Sequence, residues 1–129
     1  MSIEVTLPQL AKTLTRYRFA YLVTIGEDAR AHVVAVHPTL ANGILLVREP
    51  GRKTRVALAV YPSVTVVWPP AEPDDYSLIV DGVGSMRGDE LTIAPTRAVL
   101  HRPAQPQTTP ADGGCGSDCV ELPVTAQTG

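Results

Sequence analysis

Aromatic residues are scarce in this chain of 129 residues: one Trp, one Phe and four Tyr, 5% of the whole. The apolar content of 44% is therefore carried mostly by Val, Leu, Ile and Ala. A nucleic-acid surface would interleave aromatic and basic side chains, so that partner is not expected. No run approaches the roughly 20 apolar residues that a membrane-spanning helix needs. The opening MSIEVTLPQL has neither the basic start nor the continuous apolar stretch of a signal peptide. A cytoplasmic protein without a membrane partner is the expectation. Cysteine is limited to Cys115 and Cys119, too close together to staple a whole fold. An excess of one charge is missing as well: 11 basic and 13 acidic side chains leave a net charge of −2, so any basic site must be local.

What is present reads as one folded domain over residues 1–102 and a Pro/Gly-rich tail over 103–129 without apolar periodicity. Near the N-terminus, Thr6 and Gln9 have the spacing of a capping box, and Pro8 is tolerated in a first helical turn. Leu7, Leu10, Ala11 and Leu14 follow at i, i+3, i+4 and i+7, which predicts one amphipathic helix.

From Phe19 the texture changes to short β-branched runs separated by turn residues. Strands are predicted over 19–25, 31–37, 44–48, 63–68, 76–87 and 90–102, with turns at 26–30, at Ala41-Asn42-Gly43 and at Gly88-Asp89. The first three are apolar on both faces, which suits a closed or nearly closed barrel. Pro95 inside the last strand predicts a bulge or an edge position. Residues 52–61 are helical in texture, with Val56 and Val60 one turn apart and Ala57 and Ala59 allowing close approach, all expected to press the helix onto the barrel, and Pro62 ends the run.

The basic residues concentrate just before that helix. REPGRKTR, residues 48–55, places four of the eleven cations in eight positions. A helix starting near Gly51 or Arg52 has free first-turn N–H groups and a dipole that favours an anion. Gly51 leaves room for close approach, Arg52, Lys53 and Arg55 supply charge, and Thr54 adds a hydroxyl donor. Cations at that end are unfavourable with the dipole unless something negative lies between them. A solvated basic turn paired with nearby acids is the other reading of the same residues.

No nucleophile–base pair, Gly-x-Ser-x-Gly turn or paired carboxylates stand out, so no residue is assigned as catalytic. This pattern points to chemistry carried by a cofactor. His32 and His37 fall on opposite faces of their strand and have no partner spacing for a metal. The Cys115 and Cys119 pair fits half a zinc site, a small disulfide loop or two thiols without a role. No metal ligand is assigned.

The ordered set FAYLVTIGEDARAHVVAV, EPGRKTR before a helix, YPSVTVVW, IVDGVGSM and LTIAPTRAVLH resembles the pyridoxamine 5'-phosphate oxidase-like superfamily of flavin-binding split β-barrels. The resemblance spans residues 10–102. It implies a mainly β fold: a six-stranded split barrel with an N-terminal helix and one short helix between strands 3 and 4. It also implies a homodimer with cofactor grooves at the interface, and hydride transfer between the cofactor and a small-molecule substrate. FMN is the implied cofactor. The Lys53-Thr54-Arg55 form is similar to the branch that uses an 8-hydroxy-5-deazaflavin instead.

By the same resemblance Gly51, Arg52, Lys53, Thr54 and Arg55 hold the cofactor phosphate. The backbone of His32, Val33, Val34, Ala35 and Val36 lines the ring. Trp68 either lines the groove or serves as a core or dimer-interface aromatic, and His101 lies either against the flavin or in solvent. A module that carries flavin, haem or another tetrapyrrole without turnover is the alternative, with haem the less expected ligand. Two departures matter. Only the Gly88-Asp89 turn separates the last two strands, where many relatives insert a helical segment. His101-Arg102-Pro103 replaces the Arg-x-His pair of relatives that oxidise pyridoxamine phosphate, so that reaction is not carried over.

Overall fold

The structure, a computed structural model, describes residues 2–104. The Cys115 and Cys119 pair and nearly all of the predicted tail lie outside the described residues. The chain runs β1 (Ser2–Glu4), α1 (Leu7–Leu14), β2 (Ala20–Ile25), β3 (Ala31–Val36), β4 (Thr39–Ala41), β5 (Ile44–Arg48), α2 (Arg52–Val60), β6 (Ser63–Trp68), β7 (Ser77–Arg87) and β8 (Glu90–His101). All six predicted strands form, and two three-residue strands, β1 and β4, add to them. The result is mainly β, an antiparallel split barrel of eight strands.

The sheet order is β3-β2-β6-β7-β8-β5-β4, with β1 on the far end of β8. The path does not close on itself. Its two outer strands, β3 and β4, are consecutive in the chain and joined only by His37 and Pro38. That gap is the split, and among the described residues it leaves one edge of β3 unpaired.

Inward-facing Leu22, Leu45, Val66, Leu78, Val80, Leu91 and Ile93 are fully buried and form the core. The opposite face of β2 and β3, with Val83 of β7 beside it, is also apolar but is left open in the single chain. Tyr21 is 40% exposed, Val83 47% and Val33 54%. The apolar outer face therefore does not come from enclosure within the barrel.

Pro95 marks a bulge, as expected. Asp81 pairs Arg97 and Gly82 pairs Pro95, so Thr96 is the extra residue on β8. At that bend the β8 backbone presses on Gly82, where a Cβ would meet the Ala94 carbonyl oxygen at 2.6 Å.

Helix α1 starts as the spacing predicts. Gln9 Oε1 accepts the Thr6 backbone N–H at 3.1 Å. Its buried face, however, is Leu10, Thr13 and the half-buried Leu14, while Leu7 and Ala11 are exposed. In α2 the correction is larger. Val56 and Val60 point outward, each 43% exposed, and Thr54, Ala57 and Leu58 are the residues turned to the barrel. Leu58 seats over Gly84 of β7, where a Cβ would lie 3.0 Å from its Cδ2. Burying one such leucine contributes about 1.5–3 kcal/mol. The missing side chain at Gly84 is what lets α2 come down onto the sheet.

Candidate functional site

The groove is built on the open edge of β3. The hairpin bond from Gly26 N–H to the Arg30 carbonyl, 2.9 Å, sets the alternation of the β2–β3 ladder. Thr24–His32, Leu22–Val34 and Ala20–Val36 are then the hydrogen-bonded pairs. Ala31, Val33 and Ala35 turn both backbone N–H and C=O to the split instead. About 20 Å of β3 edge, at ~3.3 Å per residue, runs from Ala31 to His37.

Opposite that edge stands the start of α2. Two cavities flank it. One, of about 680 Å³, lies between the β2–β3 hairpin and α2 and is lined by Asp28, His32, Arg52, Lys53 and Val56 among others. The second, of about 440 Å³, lies in the split between β3 and β5. It takes in Val34, Ala35, Val36, His37, Arg48, Gly51 and Thr54.

The predicted basic cluster is thus divided by the 100° turn per residue of a helix. Arg52 and Lys53 face the hairpin cavity, and neither makes an ion pair among the described residues. Arg55 turns away: its Nη2 lies 3.4 Å from Asp89 Oδ1, and its Nε donates to the Pro50 carbonyl at 3.4 Å. It lines neither cavity. Thr54 turns inward beside the split. Its hydroxyl is fully buried and, among the described residues, finds no hydrogen-bond partner.

The helix start is bare in other respects. The N-cap is Gly51, which has no side chain to cap the turn, and no acid occupies the first turn. The first intrahelical bond runs from Arg55 N–H to the Gly51 carbonyl at 3.1 Å, so the N–H groups of Arg52, Lys53 and Thr54 have no intrahelical acceptor. A Cβ built at Gly51 meets nothing within 4 Å, which leaves the approach open. Just before it, Glu49 holds a φ of +49°, a conformation uncommon outside glycine, with its N–H fixed on the Asp89 carbonyl at 2.7 Å. That turn aims the first turn of α2 at the split.

The remaining predicted residues lie elsewhere. Trp68 is buried against a third cavity, of about 410 Å³, between α1 and β4. His101 sits at the far end of β8, with its Nδ1 3.1 Å from Ser2 Oγ. Eleven residue steps, roughly 36 Å of strand, separate it from Glu90, which borders the split. Thr39 lines the groove although the sequence did not single it out. His37, weighed in the sequence only as one of two histidines on opposite strand faces, and Arg48, seen there only as part of the basic run, line it as well.

Burial pushes the Tyr17 phenol up from its ordinary value. Its hydroxyl donates to the Tyr76 carbonyl at 2.9 Å. Among the described residues no cluster of His, Cys, Asp and Glu has the form of a metal site, and no helix is long and apolar enough to cross a membrane.

No protein-family model matches the chain. Two uncharacterized proteins, one from Mycobacterium bovis and one from Mycobacterium tuberculosis, are each 39% identical, covering 94% of this chain and 96% of their own. Among solved structures, a FAD-binding protein of Mesorhizobium loti superposes with a TM-score of 0.62 at 15% identity, covering 78% of this chain and 96% of that one. A pyridoxamine 5'-phosphate oxidase candidate from Listeria innocua gives 0.59 at 13% identity, over 73% and 96%. An F420 reductase gives 0.55 at 15% identity, over 67% and 93%. The chain belongs to one family with the two mycobacterial proteins and shares the split-barrel fold of these solved structures.

Proposed function

We propose that the protein is a cytoplasmic, homodimeric oxidoreductase that holds a flavin-type cofactor in the groove between β3, β5 and α2. The observation that carries this reading is the buried, unpartnered Thr54 hydroxyl beside three free N–H groups at an uncapped helix start. Leaving a buried hydroxyl unpaired costs about 1–3 kcal/mol, and a phosphate placed there removes that cost. An anion also offsets the repulsion between the helix dipole and the unpaired Arg52 and Lys53.

The residues present fit such a group. Thr54 Oγ1 and the N–H groups of Arg52, Lys53 and Thr54 would take the phosphate, with Arg48, Arg52 and Lys53 adding charge. The outward N–H and C=O groups of Val33 and Ala35 would orient the polar rim of the ring, and Val34 and Val36 exclude water from its inner side. When bound, the cofactor supplies a hydride acceptor or donor, a capacity the chain's own side chains lack. FMN is the cofactor favoured here. The deazaflavin alternative draws support from the likeness to an F420 reductase. The apolar outer face carrying Tyr21, Val33 and Val83 is the surface on which two copies would meet.

Visible absorption of the purified protein, followed by separate titrations with FMN and with F420, tests the reading. Saturable binding of one of them is expected, and failure to bind either overturns it. Bound cofactor that no reductant or substrate panel turns over would make the protein a carrier instead.

A further inference from the structure

We propose that the cavity between α1 and β4 is a second binding site, one that takes a small apolar carboxylate. Leu14, Leu40, Tyr17 and Trp68 line it together with Arg18 and His37. The volume, about 410 Å³, falls in the range of roughly 300–1,000 Å³ usual for small-molecule sites. Among the described residues, no Asp or Glu lines the cavity to match its donors. Arg18 is exposed and makes no hydrogen bond or ion pair among the described residues.

The neighbouring polar groups are already committed. The Tyr17 hydroxyl is spent on the Tyr76 carbonyl, so this residue offers ring surface rather than a donor. The last carbonyls of α1, those of Lys12, Thr13 and Leu14, accept from the N–H groups of Thr15, Arg16 and Tyr17 at 3.1–3.2 Å. The end of the helix therefore presents no bare acceptor run against an incoming anion. An apolar pocket under a free guanidinium matches a ligand with an apolar body and one planar anionic head, and guanidinium binds carboxylate through two parallel bonds.

His37 and Thr39 line this cavity and the split groove alike. A ligand seated under Arg18 is thus the immediate neighbour of whatever occupies the groove. That it is the second reactant rests on the flavin reading above, whereas its binding does not.

Trp68 is the chain's only tryptophan and forms part of the cavity wall, so its fluorescence reports occupancy without any cofactor present. The full-length, cofactor-free protein is titrated with benzoate and cyclohexanecarboxylate, and in parallel with benzamide as the neutral counterpart. A saturable change in Trp68 emission is expected with the carboxylates, at least 10-fold weaker with the amide. Arg18→Ala should lower carboxylate affinity by 10-fold or more, leave the amide unchanged and keep the circular dichroism spectrum. Arg18→Lys should restore part of the loss. Equal response to acid and amide, an Arg18→Ala variant that binds carboxylate like the parent, or no saturable response would each overturn the proposal. None of these results bears on the FMN and F420 titrations, which are read at visible wavelengths.

Discussion

Replacing Thr54 by Val moves two quantities in opposite directions. The two side chains have nearly the same shape and both are β-branched, so helix propensity and packing change little. In the cofactor-free protein the substitution removes a hydroxyl that is fully buried and unpaired. Relief of about 1–3 kcal/mol is expected. For a domain of this size that raises Tm by roughly 4 °C or more. In the loaded protein the same substitution deletes a hydrogen bond to an ionised phosphate, worth about 1.5–3 kcal/mol, which is roughly 10- to 100-fold in Kd. Scanning calorimetry without cofactor, paired with cofactor titration, measures both. A fall in the Tm of cofactor-free protein would mean that the hydroxyl has a partner within the fold. Unchanged affinity would place the phosphate elsewhere, and either result refutes the reasoning.

Gly82→Ala should lose about 1–3 kcal/mol in denaturant unfolding, because the new Cβ meets the β8 backbone at 2.6 Å and has no flexible neighbour to displace. Tyr17→Phe removes the bond to the Tyr76 carbonyl and should cost about 1 kcal/mol near neutral pH. Burial raises the Tyr17 phenol above its ordinary value of 10.0, so the unfolded chain releases that proton first. Its contribution is complete below pH 10 and is lost as pH rises through the higher folded value, so the Phe variant should show a flatter alkaline limb in a stability–pH profile. If the proposed dimer forms through this face, Val33→Asp should convert it to monomers in sedimentation velocity while leaving monomer stability nearly unchanged, since Val33 is 54% exposed in the single chain. A double Arg52→Ala, Lys53→Ala variant should bind cofactor more weakly with its fold intact, and unchanged affinity would exclude both side chains from phosphate binding.

What could be read from the sequence tracks the length over which a pattern repeats. Every strand of five residues or more announced itself by composition and punctuation, and Pro95 located the bulge. The three-residue strands β1 and β4 are too short to show alternation, and only their pairing with β8 and β5 makes them strands. The face of α2 was misread because Val56 and Val60 outrank Thr54 in hydropathy, while the sheet selects small Ala57 and Leu58 over Gly84. The basic segment was visible as composition, but its division between two cavities and Asp89 depends on helix phase. That phase is set by the positive φ of Glu49, which nothing in its side chain signals. His37 could be placed from the sequence only on the strand face opposite His32, for a related reason: what makes it matter is the meeting of two sheet edges, a property of the topology.

That meeting of edges also governs how the groove can deform. Two residues, one of them a proline with φ held near −65°, tie β3 to β4. The gap is therefore pinned at one end and can open only as a wedge, with His37 as pivot and the β2–β3 hairpin as the free arm. A given angular displacement moves the lining near Gly26 several times farther than the lining near Thr39. For the proposed cofactor that lever would favour entry from the hairpin end and keep the pivot end nearly constant in width, so shape discrimination would be concentrated beside His37.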